Sequence, residues 1–331
     1  MGNGIFYLET KSLNPRFNLA FEEYILHHRM AGNYLLLWQN NNTVVIGQNQ
    51  NAEAEINRAF VEERQINVVR RSTGGGAVYH DLGNLNYSFI TDAGNAEELA
   101  MQRFTGPVVD ALRKLGLQAE ASGRNDILVE GLKVSGTAQR LFRNRILHHG
   151  TLLFDSDSTM IAGALNADPA KFQSKSVRSV RSRVGNIRLF LKEDMELSEF
   201  WRYLKEHLAG RDLIFDELTL EELKEVEKLK QQKYDTWEWN FGSSPAYTMK
   251  NKRRWNGGTL EVYLYVEHGR ITDISFYGDF LSRQPLTELK SALRHCPYQE
   301  QAFSAILSTF ELSNLFGSIS KHEILKTVFC D

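Results

Sequence analysis

The chain has 331 residues, 24% of them charged and 42% hydrophobic, with a formal net charge of −2. This composition is that of an ordinary globular protein, and the charge balance excludes a globally basic surface for nucleic acid, though not a local basic patch. The length exceeds one typical domain, so a large unit with a smaller one, or two of similar size, is expected.

In chain order, Asn18 is placed to cap a helix running to about Met30, with Phe21, Tyr24 and Ile25 on its buried stripe. Tyr34–Trp38 and Thr43–Gly47 read as strands, rich in β-branched and aromatic residues and bounded by Asn and Gly. Between Ala52 and Gln65, the spacing of Ile56, Ala59, Phe60 and Glu63 predicts one amphipathic helix. Asn84–Phe89 alternates polar and apolar residues, the pattern of a half-buried strand. Pro107 is expected to open a helix whose apolar face is Val108, Leu112 and Leu115.

Short strands are expected from Ile127 to Phe154, with turns at Glu130-Gly131 and near Arg143-Asn144. Residues 166–186, dominated by Ser, Arg and Lys, show no period, as in a functional or disordered loop. Helices resume at about 194–209 and 219–233, and Phe241–Pro245 reads as a linker. A compact unit follows, with strands at about 258–268 and 270–278 joined at His268-Gly269 and then helical segments; the boundary is placed near residue 250. The two cysteines, Cys296 and Cys330, both lie in this last unit and are too few for a disulfide framework. No stretch approaches the roughly 18 apolar residues of a membrane span, and no basic segment followed by an apolar run opens the chain. A cytoplasmic location, without a membrane or nucleic-acid partner, is expected.

Three stretches carry chemistry. The first runs from Arg70 and Arg71 through Ser72, Thr73, Gly74, Gly75, Gly76, Ala77, Val78 and Tyr79 to Asn84. Successive glycines allow positive φ and let backbone N–H groups approach an anion, and the arginines add charge. It is neither a Walker A motif nor a GxGxxG turn; three bare glycines would fit a solvated hairpin tip as well as an anion site, and the flanking arginines and return strand favour the anion site. The second is Ser122–Val129 followed by Lys133–Arg140. As a strand it would place Lys133, Ser135, Thr137 and Gln139 on one face, lining a cleft or facing solvent. Asn125 and Asp126 are also natural turn residues. The third is His148-His149-Gly150-Thr151, whose adjacent histidines point to opposite faces of a strand and make a poor metal pair; His149 shares its face with Thr151.

Together these strings resemble the lipoate–protein ligase A family: RRSTGGGAVYHDLGN at 70–84, SGRNDI at 122–127, KVSGTAQR at 133–140 and HHGTLL at 148–153. Ser179–Val184 and Trp237–Gly242 are similar to that family as well, so the resemblance covers essentially the whole chain. It implies an α+β fold: a biotin/lipoate ligase-like catalytic domain with mixed sheets and flanking helices at 1–245, plus a small α/β C-terminal accessory domain at 250–331. It also implies the reaction. Lipoate and ATP, with Mg2+, give lipoyl-AMP and pyrophosphate; a lysine of a lipoyl-acceptor protein, such as an E2 lipoyl domain or the glycine cleavage H protein, then takes the acyl group.

The same resemblance assigns residues. Lys133 would contact the lipoate carboxylate and the α-phosphate, and is the catalytic residue expected. Arg71, Gly76, Ala77, Val78, Tyr79 and Lys133 match ATP-binding positions; Arg70, Ser72, Gly75, His149 and Lys133 match lipoate-binding ones. Asn125, Asp126, Ser135, Arg140, Arg181 and Arg183 would complete the adenylate pocket or its closing loop at Lys171–Arg183. No metal site made by protein ligands alone is expected, with Asp126 the one side chain placed to touch Mg2+. Two other readings stand beside this one. An octanoyl- or lipoyl-transferase of the same fold that works through a thiol needs a cysteine in the catalytic domain, where none occurs. A non-enzymatic lipoyl-domain binder would use the basic 166–186 and Lys250–Arg254 segments, and would not need an intact Lys133, glycine loop and His149.

Overall fold

The computed structural model describes residues 4–50, 52–94, 101–123, 125–165, 184–210, 213–241, 249–267 and 269–329. Among them, eight strands form one mixed sheet: β1 (Ile5–Glu9), β2 (Asn33–Trp38), β6 (Asn84–Asp92), β7 (Ala119–Ser122), β8 (Asp126–Val129), β9 (Leu132–Phe142), β10 (Arg145–Leu153) and β11 (Leu213–Phe215). Their spatial order is β11-β1-β2-β6-β10-β9-β8-β7. A second sheet, order β4-β3-β5, is built from β3 (Thr43–Ile46), β4 (Asn67–Arg70) and β5 (Val78–His80). The third, at the C-terminal end, is β12 (Met249–Trp255), β13 (Gly258–Glu267) and β14 (Arg270–Gly278).

Helices cover both faces of the large sheet. On one side, α4 (Gln102–Lys114) and α6 (Leu197–Ala209) pack Phe104, Val108, Leu112, Phe200 and Leu204 against Leu35, Leu37, Leu85 and Tyr87. On the other, α1 (Pro15–His28) brings Leu19, Phe21 and Ile25 onto Leu8, Leu36, Trp38, Ile90 and Leu147. The strand expected to be half-buried is therefore central: every residue of β6 except Asp92 is buried. Its polar residues Asn84, Asn86 and Ser88 are enclosed between layers, which an alternating pattern does not reveal. The strands of the 127–154 region are also longer than expected, though the turns fall as read, with Glu130, Gly131 and Arg143 at positive φ.

Three helix boundaries differ from the expectation. Asn14, not Asn18, caps α1, its Oδ1 accepting from the N–H groups of Arg16 (3.0 Å) and Phe17 (3.3 Å), with Pro15 next to it. Asn18 is fully buried one turn inside, where Nδ2 donates to the Ser12 and Gln39 carbonyls and to Asn40 Oδ1. Helix α4 starts at Gln102 and carries Pro107 in its interior; burial of Phe104 and Thr105 in the added turn offsets the lost backbone bond. The 52–65 helix is split into α2 (Ala52–Glu55) and α3 (Arg58–Glu63), the latter capped by Asn57. The break lets Ile56 bridge to Leu165 and Asn57 N–H donate to the Ala164 carbonyl (2.9 Å), at the end of α5 (Ser158–Ala164).

Beyond α6, helix α7 (Leu220–Leu229) continues into a π-helical turn, Lys230–Tyr234, and then α8 (Trp237–Asn240). The C-terminal sheet packs on α9 (Thr287–Leu293), α10 (Glu300–Leu307), α11 (Leu312–Phe316) and α12 (Lys321–Phe329), around a core of its own that includes Leu260, Phe276, Phe303 and Phe316. The sequence reading missed β12, whose Lys and Arg residues mask it as a basic run; such charges suit an edge strand. Three backbone hydrogen bonds tie this unit to the catalytic sheets: Gly278 N to Asn49 O (2.7 Å), Gly75 N to Phe280 O (3.1 Å) and Leu141 N to Arg283 O (2.8 Å).

One buried charge cluster locks α1 to β9 and to the π-helical turn. Glu23 receives Arg140 Nη1 (2.8 Å), Lys233 Nζ (2.7 Å) and the Tyr234 hydroxyl (2.6 Å). Burial alone would raise its pKa, but the Lys233 and Arg140 charges outweigh that and hold it at about 2, below the ordinary 4.5. Because the folded value is the lower one, this contribution to stability is fully present above about pH 4.5 and is lost as pH falls towards 2. Glu23→Gln is expected to destabilise the protein at neutral pH by about 3 kcal/mol, since Arg140 and Lys233 remain without a counter-charge. Urea titrations from pH 7 to pH 3 test this; a variant with wild-type midpoints throughout contradicts the assignment.

Candidate active site

The central cavity lies between the large sheet and the β4-β3-β5 sheet. Its floor follows one transverse row of the large sheet. Thr151 pairs with Asn86, Asn86 pairs with Trp38, and Gly136 N–H donates to Thr151 Oγ1 (3.2 Å). Three inter-strand spacings make this row about 14 Å long. Val45, Val78 and His80 come from the small sheet, where Val45 pairs with Val78 and Thr43 with His80. Leu19 of α1 closes the side. The result is a slot with Trp38 and His80 at one end and Lys133 at the other.

A bulge in β9 sets the lysine. Leu128 pairs with Lys133 but Ile127 with Ser135, so Val134 is an extra residue and the alternation shifts. Lys133 thus joins Gly136 and Ala138 in the cavity. Ser135, expected on the same face, is fully buried on the other side towards the Tyr87 hydroxyl. A Cβ at Gly136 would stand 3.3 Å from both Cε and Nζ of Lys133, so the glycine leaves the ammonium its space. Lys133 Nζ pairs with Asp126 at 2.7 Å and remains about one-third exposed. Asn125 also lines the cavity, and its Nδ2 and carbonyl clasp Thr137. On the far side Val184 bridges to Lys133, whose carbonyl accepts from Gly185 N–H (3.0 Å).

The glycine loop is built around Arg71. This guanidinium is buried, its pKa lowered to about 10 by burial, and it donates from Nη2 to the carbonyls of Gly74 (2.6 Å) and Gly76 (2.9 Å). Its Nη1 reaches Val45 O and its Nε reaches Thr73 Oγ1 (3.0 Å). From Thr73 a directed chain of hydrogen bonds crosses to the large sheet. Trp38 Nε1 donates to Ser88 Oγ (2.9 Å), and Ser88 donates to Glu22 Oε1 (2.6 Å). His149 Nδ1 donates to the same carboxylate (2.9 Å), which leaves Nε2 to accept from Thr73 Oγ1 (2.7 Å). Each hydrogen bond from Trp38 to Arg71 then runs in one direction, with Ser88 and Thr73 both accepting and donating.

The other residues singled out from the sequence fall in several places. Gly75, Gly76, Ala77, Val78 and His149 line the cavity with Arg71 and Lys133. Arg70 does not: its guanidinium is buried and donates to the carbonyls of Gly47, Gln48, Gln50, Trp239 and Asn240, holding α8 against β4. The Tyr79 ring turns to the opposite face of the small sheet, with its hydroxyl on Asn42 Oδ1 (2.9 Å). Ser72 is buried away from the cavity lining, and Arg140 belongs to the Glu23 cluster. The free-amide reading of the glycine loop also changes, because Gly75 N–H is held by Phe280 O of the C-terminal unit. Arg181, Arg183 and the rest of the Lys171–Arg183 loop lie outside the described residues.

Sequence reasoning missed Glu22, Thr73, Trp38, His80 and Asn86. Trp38 and Asn86 sat on expected strands, and parity alone would have put them on one row. Glu22 carried a weaker signal, an acidic residue beside the apolar stripe of α1. His80 is neutral at ordinary pH, since burial, then Arg71 and His149, push its pKa down to about 3.

A slot of this shape, apolar along its walls and ending at a lysine beside a cation-backed glycine loop, has the form of an enzyme pocket that can hold an extended acid with its carboxylate at the lysine. Two family models match: the lipoyl protein ligase A/B catalytic domain over residues 14–209 and the bacterial lipoate protein ligase C-terminus over 244–328. The chain belongs to the lipoate–protein ligase family. It is 39% identical to lipoate-protein ligase LplJ of Bacillus subtilis over 98% of this chain and 99% of that protein. It is similar in structure to LipL1 of P. falciparum solved with lipoate (TM-score 0.73, 25% identity, covering 94% of this chain and 95% of that one). A lipoate-protein ligase A bound with ATP is similar as well (TM-score 0.63, 29% identity, covering 73% and 99%).

Close approach of two backbones gives a test of the loop. A Cβ on Gly47 would lie 2.0 Å from the Gly75 carbonyl oxygen. Gly47→Ala must therefore displace the glycine loop, and calorimetry should show binding of lipoate and ATP weakened at least tenfold in a protein that still folds. Wild-type affinity would show that the loop's position does not matter to the ligands.

Proposed function

We propose that lipoate lies in this slot with its carboxylate at Lys133, and that ATP-dependent activation and transfer both occur there. The observation that carries the reading is the placement of Lys133: its ammonium stands above Gly136 at the end of an apolar slot, held by a single carboxylate, Asp126. An incoming lipoate carboxylate and α-phosphate replace Asp126 as partners of the ammonium. A carboxylate oxygen attacks the α-phosphorus, the bond to the β-phosphate bridging oxygen breaks, and pyrophosphate leaves. The neutral amine of an acceptor lysine then attacks the acyl carbon; AMP departs with the bonding pair, and the amine's proton is lost as the amide forms. Lys133 offsets negative charge on the acyl oxygen and phosphate in both steps, and positioning in a dry slot does the rest.

Arg71, with Gly76, Ala77 and Val78, is assigned to the nucleotide side, and His149 and Gly75 to the acyl side, on their positions in the lining. Arg71 acts by fixing the loop and by its buried charge, because most of its donors hold backbone carbonyls. Mg2+ is assigned to the ATP phosphates, and Asp126, once displaced from Lys133, would supply one carboxylate to it at most. The acceptors proposed are E2 lipoyl domains and the glycine cleavage H protein. The catalytic unit is taken as 1–245 and the accessory unit as 250–331, in a protein working in the cytoplasm; no helix among the described residues is long and apolar enough to cross a membrane.

Lys133→Ala should lower lipoate-dependent pyrophosphate release about 10²- to 10³-fold, the usual effect of removing one preorganised donor. Near-normal release from the folded variant would remove Lys133 from the mechanism. Thiol chemistry gives a second division. Cys296 is buried in the C-terminal unit, with its pKa raised by burial. Joint replacement of Cys296 and Cys330 by serine should leave ATP-dependent lipoylation within a few-fold of wild type. Complete loss in a folded double variant would point instead to a thioester-forming transferase.

A further inference from the structure

At the end of the slot away from Lys133, two buried nitrogens, His80 Nε2 and Asn86 Nδ2, have no hydrogen-bond partner among the described residues. His80 is only 3% exposed, and its Nε2 has no hydrogen bond among the described residues. Its proton can be placed by following the chain of amides beneath it. Asn18 Nδ2 faces two backbone carbonyls, Ser12 O (3.0 Å) and Gln39 O (2.7 Å), so that atom must be the nitrogen. Both of its hydrogens are then engaged, so the Asn40 atom 3.0 Å away must be the oxygen, because an amide nitrogen there would set donor against donor. Asn40 Nδ2 then donates to His80 Nδ1 (3.1 Å). A neutral imidazole that accepts at Nδ1 carries its hydrogen at Nε2.

Trp38 and Val45 are the apolar neighbours of His80 in the slot, and Asn86, which pairs with Trp38 across the strands, uses Oδ1 to accept from Asn84 Nδ2 (3.0 Å) while its own Nδ2 has no partner among the described residues. The Trp38 ring stands 6.4 Å from the His80 ring in an edge arrangement. A buried donor left unpaired is unfavourable and uncommon, and a site that keeps one is built for an acceptor. At this depth the acceptor must belong to the far end of the acid, beyond an alkyl chain. Resting on the placement of lipoate argued above, we propose that His80 Nε2–H donates to a sulfur of the lipoyl dithiolane and so makes the slot prefer a sulfur-terminated acyl chain to a plain alkyl chain of equal length. Sulfur accepts weakly, and it packs well against an aromatic ring edge, which Trp38 supplies. A terminal methyl group meets the same donor and leaves it unsatisfied.

The test compares lipoate with octanoate on wild type, His80→Phe and His80→Gln, by calorimetric binding without ATP and by pyrophosphate release with it. Phenylalanine keeps a planar ring and removes the donor; glutamine restores an N–H. The lipoate-to-octanoate ratio should fall about two- to tenfold in His80→Phe, the effect of one neutral hydrogen bond, and recover in large part in His80→Gln. An unchanged ratio, or equal losses for both acids, would overturn the proposal and make His80 a packing residue or a partner of water. A wild type that binds both acids but releases no pyrophosphate would sink the ligase mechanism and leave the binding ratio to decide this point. One that binds neither would overturn both.

Discussion

The architecture of the site depends on a carboxylate buried beneath a glycine loop. Glu22 is 1% exposed and reaches the loop only through His149 and Thr73, while Arg71 brings a buried positive charge to the other end of the same chain. Neither charge is favourable alone in such surroundings. The hydrogen-bond chain between them, with the Arg71 bonds to the Val45, Gly74 and Gly76 carbonyls, fixes the loop to the floor of the large sheet. The loop itself contributes little hydrophobic surface, so this polar chain, rather than packing, defines where its carbonyls and amides point. Trp38, Arg71 and His149 of this chain also line the slot, so loop geometry and slot width are set together.

Two sheets of unequal size make the slot possible. The wide sheet offers a flat row from Gly136 to Trp38, and the small one lays Val45, Val78 and His80 over it. Helices on the opposite side of the large sheet make it rigid, and α1 serves both purposes. One face of this helix carries the apolar residues that pack on β2 and β6; the adjoining positions carry Asn18, Glu22 and Glu23, each buried in a different hydrogen-bond network. A single helix thus orients His80 through Asn40, the glycine loop through His149, and the π-helical turn through Lys233 and Tyr234.

Much of this was legible in the residues. The strings around Gly74–Gly76, Lys133 and His149 were informative because their chemistry and order are unusual, and all three stretches line one cavity. What periodicity could not show was anything that depends on a third dimension. The bulge at Val134 moves Lys133 to the face opposite Ser135, and no alternation rule contains it. Arg70 and Arg71 are neighbours of identical chemistry, yet one is fully occupied by carbonyls from α8 and the loop after β3, and the other lies under the glycine loop. Burial of Asn86 and Ser88 likewise follows from a second layer above β6 that the strand's own pattern cannot report. The helix starts failed for a simpler reason. Asn14 followed by Pro15 was a better cap signal than Asn18, and Pro107 was read as a beginning where packing had already extended the helix.

The contact between Gly75 N–H and the Phe280 carbonyl has a thermodynamic consequence. The amide is a donor at the heart of the anion loop, and a carbonyl of the C-terminal unit already occupies it. Any anion that took this hydrogen would have to displace Phe280, so docking of the C-terminal unit and occupancy of that amide would be linked with negative sign. Linkage is reciprocal: whatever free energy the docked unit subtracts from anion binding, a bound anion subtracts from docking. In that case the C-terminal unit would act as a competing ligand tethered in the same chain, with an effective concentration set by the tether.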